Sequence, residues 1–72
     1  MAELPEDTTL DVVDQLIGEG ETRRAEQVLL VAMLARRGED ATAARQMLRE
    51  IEDTLATLHC RRAYLRAMKT GP

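Results

Sequence analysis

Aromatic residues are almost missing from this chain: Phe and Trp do not occur, and Tyr64 stands alone. A core built without them must be filled by Leu, Val, Ile, Met and Ala. These suit close helix packing but bury less area per side chain. Cysteine and histidine occur once each, as Cys60 and His59. One cysteine excludes an internal disulfide. Adjacent residues on a helix point about 100° apart, so His59 and Cys60 cannot grip one metal ion together. Neither has a second zinc-type ligand three or four residues away, and no third group is placed to orient a Cys–His catalytic pair. No metal, cofactor or enzymatic activity is expected.

Long apolar stretches are also lacking. The longest, Val28 to Ala35, has eight residues, far short of the roughly 20 that span a bilayer. The opening Met-Ala-Glu-Leu-Pro-Glu-Asp is acidic and unlike a signal peptide. A soluble, cytoplasmic protein is the expectation. Base is scarce at one end and acid at the other. Residues 1–21 hold seven acids and no base, while Cys60 to Lys69 hold four bases and no acid. The net charge of −3 argues against nucleic acid or an anionic membrane as the main ligand.

Seventy-two residues make a single domain. A domain this small buries only about 60% of the surface that its unfolded chain exposes. With disulfides and metals unavailable, association with another chain is the remaining source of added stability.

What the chain does have is helical periodicity. From Asp40 to Lys69, Ala41, Ala44, Leu48, Ile51, Leu55, Leu58 and Leu65 recur in steps of three and four, with Arg62 in the one polar slot. This heptad-like seam predicts one long amphipathic helix lying along another helix. Arg62 either pairs with an acid of the first helix or of a partner, or lays its stem along the seam with its head in water. Upstream, residues 1–7 read as a tail. Thr8 and Asp11 resemble a capping box for a short helix over residues 8–18, carrying Leu10, Val13, Leu16 and Ile17. Gly18 and Gly20 end that helix or merely kink a longer one. A second helix is expected over residues 21–37, with its greasy middle buried on every side. Gly38 then closes it in a left-handed conformation, and Asp40 or Thr42 caps the long helix.

The fold class expected is all-α: an antiparallel helical hairpin with a short additional N-terminal helix, completed into a bundle by another chain. Sixteen-odd residues of the second helix cover about 24 Å, against about 45 Å for the long one. Leu58, Arg62 and Leu65 would therefore need cover from the first helix or from a partner. Beside them, Cys60, Ala63, Tyr64, Ala67 and Met68 form a second apolar stripe at helical spacing. These eight residues are the candidate partner-binding set, with Tyr64 as its anchor.

The run Ile51-Glu52-Asp53-Thr54-Leu55-Ala56-Thr57-Leu58, after Arg36-Arg37-Gly38-Glu39-Asp40-Ala41 at the turn, resembles the small co-chaperones of bacterial type III secretion systems. Those are helical hairpins that help to keep the needle subunit soluble. The resemblance spans about residues 35–59 and implies a helical chaperone or a secreted subunit as partner. Two alternatives stand beside it. One is a homodimeric four-helix bundle with a structural or regulatory role. The other is a helix-turn-helix reading DNA through Thr42, Arg45, Gln46 and Arg49, opposed by Glu39, Asp40 and Glu50 against phosphate.

Overall fold

A computed structural model describes residues 6–70 of the chain. Two helices account for nearly all of them: α1, Glu6–Arg36, and α2, Thr42–Thr70. They lie side by side and antiparallel. Asp14 meets Arg62, Gly20 meets Leu55, Arg24 meets Glu52 and Gln27 meets Ala44, so numbers rise on one helix as they fall on the other. The expected tail is largely outside the described residues, and Thr8 lies inside α1 rather than capping it.

The separate N-terminal helix is not there. Residues 8–18 and 21–37, expected as two helices, form one helix that runs unbroken through Gly18 and Gly20. Each glycine costs a helix about 1 kcal/mol relative to Ala, which is too little to end it where tertiary packing holds both sides. A glycine that ends a helix commonly leaves it with positive φ, and among the described glycines only Gly38 does so, at +72°. Gly20 has a packing reason to be glycine. A Cβ there would come within 2.8 Å of Leu55 Cδ2 and 3.3 Å of its Cγ.

This continuity removes the length mismatch on which an uncovered C-terminal seam depended. With 31 and 29 residues the helices match, each about 45 Å long. Leu65 is buried, and Leu58 packs against the cluster of Val13, Ile17, Ile51, Leu55 and Leu65. The seam is sheltered by the chain's own first helix.

The turn between the helices follows from its residues. Gly38 N–H donates to Ala35 O at 3.1 Å and Glu39 N–H to Leu34 O at 2.9 Å, the paired bonds of a Schellman ending. Asp40 Oδ1 accepts from the Thr42 backbone N–H at 2.9 Å, starting α2. Hydrogen bonds from the Thr42 hydroxyl and then from its N–H, with Arg45 adding its charge, hold the Asp40 carboxyl below the usual carboxylate range.

The seam of α2 is the one its periodicity predicts. Facing it, α1 presents Leu10, Val13, Ile17, Gly20, Arg24, Gln27, Val31 and Leu34, again in steps of three and four. No side chain described falls below 2% exposure. The greasy run is not buried all round, either. Val31 and Leu34 sit in the seam, but Leu29 is 69% exposed and Val28, Leu30 and Met33 are exposed beside it. The hairpin measures 55 × 24 × 16 Å, and its radius of gyration is 16.4 Å, against about 11 Å for a compact domain of this length. The described residues form a single layer of two helices.

Candidate partner-binding surface

A two-helix layer has two broad sides, and here they differ in chemistry. One side carries cross-helix ion pairs and a histidine–carboxylate contact. Arg62 Nη1 donates to Asp14 Oδ1 at 3.3 Å, Arg24 Nε to Glu52 Oε2 at 3.2 Å, and His59 Nε2 stands 3.6 Å from Glu21 Oε2. Arg62 Nη2 also reaches His59 Nδ1 at 3.1 Å. A guanidinium only donates, so His59 Nδ1 accepts in this contact. Arg62 therefore takes its partner from the first helix, one of the outcomes expected for it.

The opposite side collects most of the exposed large apolar residues, with Glu19, Arg23, Glu26, Glu50 and Arg61 among them. A groove of about 340 Å³ runs along it between the helices. Leu16, Glu19, Gly20 and Arg23 of α1 line it, with Met47, Glu50, Ile51, Thr54 and Leu58 of α2. None of the ion-paired residues reaches it. Residues seven apart share a helix face when the helix follows a 3.5-residue repeat. From Leu16 and Arg23 the side thus continues to Leu30, and from Glu19 back to Val12 and on to Met33. On α2 it continues from Met47 and Thr54 to Met68, and from Glu50 to Tyr64. Of nine large apolar residues exposed among those described, seven lie on this side: Val12, Leu16, Leu30, Met33, Met47, Tyr64 and Met68. Val28 and Leu29 are the two elsewhere. No protein-family model, curated protein or solved structure matches the chain. The hairpin that the co-chaperone resemblance implies is present, and the comparisons identify no family.

The residues expected to bind a partner divide into three groups. Leu58, Arg62 and Leu65 are engaged within the hairpin. Tyr64, 60% exposed, and Met68, 50% exposed, belong to the apolar side. Cys60, a free thiol, lines a shallow surface pocket with Tyr64, Ala56, Thr57 and Arg61, and Ala63 and Ala67 are exposed on α2. Leu16, Leu30, Met33 and Met47 were not among the expected residues. Their seven-residue recurrence marks them only once the seam of α1 is known. Among the described residues no cluster of His, Cys, Asp or Glu is arranged to hold a metal ion, and no helix is long and apolar enough to cross a membrane.

Proposed function

We propose that this chain is a protein-binding helical hairpin whose apolar side packs against helices of another polypeptide. The observation that carries the reading is the distribution just described: seven exposed apolar side chains on one side of the layer, and the Asp14–Arg62, Arg24–Glu52 and Glu21–His59 contacts on the other. Isolated exposed apolar residues are ordinary on any surface; a side that collects them marks an interaction site. In its most specific form the protein is a secretion co-chaperone that keeps an export substrate soluble, as the turn and the Ile51–Leu58 run resemble. Ile51 and Leu55 of that run are buried inside the hairpin, so recognition would fall to the groove beside them. A helix-turn-helix, by contrast, needs helices crossing at about 90–120°, and these two are antiparallel.

The reading is tested with Leu16→Glu and Met47→Glu. Both positions are exposed on the hairpin, so the helices should survive while partner association is lost. If a partner isolated with the native chain binds both variants as tightly as the native chain, the apolar side is not the binding surface.

A further inference from the structure

We infer that the polypeptide covering the apolar side is a second copy of this chain, laid with its Gly38 turn at the opposite end to form an antiparallel four-helix bundle. The inference rests on the protein-binding reading and names its partner. Two helices about 45 Å long and about 10 Å wide present a side of about 900 Å². A standard stable interface takes about 800 Å² from each partner, so one hairpin covers another without remainder.

Charge along the side chooses the arrangement. A two-fold axis across the middle of the layer, near residue 21 of α1 and Leu55 of α2, sets α1 antiparallel on α1 of the second copy. Residues equidistant from the axis then meet. Glu19 falls on Arg23 of the second copy, and Arg23 on its Glu19. Farther out, Val12 falls on Leu30. On α2, Glu50 comes within one residue of Arg61 and Met47 within one residue of Tyr64. Leu16, opposite Glu26, and Met68, opposite Thr42, are poor matches. The other two-fold arrangement puts both turns at the same end and lays α1 on α2 of the second copy. The levels set by the Asp14–Arg62 and Arg24–Glu52 pairs would then lay Val12 on Tyr64 and bring Leu30 within one residue of Met47. They would, however, stack Glu26 on Glu50 and bring Leu16 within one residue of Arg61. Like charges facing each other disfavour that register. A self-complementary patch is what a two-fold interface requires, and the antiparallel arrangement supplies it.

The test is sedimentation of the full chain over a range of micromolar concentrations, with Leu30→Glu, Glu19→Arg, Arg23→Glu and the Glu19→Arg/Arg23→Glu double variant. A dimer is expected that Leu30→Glu dissociates. Each single charge reversal acts at two symmetric places and should weaken it by about tenfold at low salt, and the double variant should restore it. Glu19 and Arg23 are also i and i+4 in one helix, so helicity by circular dichroism is read beside sedimentation, and the rescue counts only where helicity is unchanged across the variants. A dimer unaffected by Leu30→Glu, or one weakened further by the double reversal, overturns the arrangement. A folded monomer at all concentrations overturns self-association. If that monomer still binds a different protein through Leu16 and Met47, the protein-binding reading survives its loss; if it binds nothing there, both fall.

Discussion

Gly20 lies so close beneath Leu55 that a single added methyl group would meet the leucine at 2.8 Å. Gly18, two residues earlier in the same helix, has nothing within 4 Å of the equivalent position. The two glycines therefore separate propensity from packing. Gly18→Ala should stabilise the hairpin by about 0.5–1 kcal/mol in urea denaturation, the usual difference between Ala and Gly in a helix. Gly20→Ala gains the same propensity but crowds a buried side chain, at about 1–3 kcal/mol, and should give no net gain or a loss. In a Leu55→Ala background the crowding disappears, and Gly20→Ala should turn stabilising. Equal effects at both glycines in the native background would mean the helices sit farther apart than described.

Arg62 interrupts an otherwise apolar seam between Leu58 and Leu65. Its side chain and that of Asp14 are 27% and 41% exposed. After solvent screening, such a pair contributes on the order of 0.2–1 kcal/mol. Arg62→Leu should therefore cost less than about 1 kcal/mol, or stabilise, by extending the seam. A double-mutant cycle with Asp14→Asn measures the coupling. A loss above about 2 kcal/mol on Arg62→Leu would show that the Asp14–Arg62–His59 chain holds this end together.

The turn should be sensitive to acid through Asp40. Its carboxyl is held below its ordinary value of 3.8 by hydrogen bonds from Thr42. A carboxylate whose pKa is lower folded than unfolded adds stability that is fully present above the unfolded pKa. That stability is lost as pH falls through the folded one. Asp40→Ala should lower the Tm at neutral pH, and its difference from the native chain should shrink below pH 3.8. Asp40→Asn, which can still accept the Thr42 N–H, should lose less. A Tm difference between Asp40→Ala and the native chain that stays constant into strong acid would remove the capping role.

Leu58 and Tyr64 lie six residues apart and should behave in opposite ways. Leu58→Asp sets a carboxylate against Val13 and Ile17 and should cost about 2–4 kcal/mol, a large part of the stability of so small a chain. Helicity by circular dichroism should fall. Tyr64→Ala removes an exposed ring and should stay within about 0.5 kcal/mol in the hairpin while weakening association. Retained helicity in Leu58→Asp would place that residue outside the seam.

The sequence displays α2 plainly because its seam is interrupted only at Arg62. It displays the turn as plainly, through Gly38 and Asp40. The other helix is harder to read. Its seam has the same spacing, but Gly20, Arg24 and Gln27 occupy three consecutive seam positions. No apolar signal crosses residues 18–30 at the right period, and two glycines there resemble an ending. Gly20 is there for a contact with a residue 35 positions away, which local pattern does not reveal. The Leu16–Met47 groove depends on knowing both seams, so it was hidden for the same reason. The stripe around Tyr64 and Met68 was legible because it lies on the helix whose register was already known.

Antiparallel pairing puts the cheapest and the most rewarding contacts at opposite ends of the rod. Gln27 and Ala44, near the turn, close a span of 17 residues, while Asp14 and Arg62 close one of 48. The entropic penalty of closure grows with that span. Yet most of the buried cluster, Val13, Ile17, Leu55 and Leu65, lies towards the far end, beyond the polar stretch at Arg24 and Gln27, with Ile51 level with Arg24. A chain zipped only as far as that stretch has met the early penalties without reaching its main apolar contacts. Half-zipped forms should therefore stay scarce, and unfolding by heat or urea should proceed in one cooperative step.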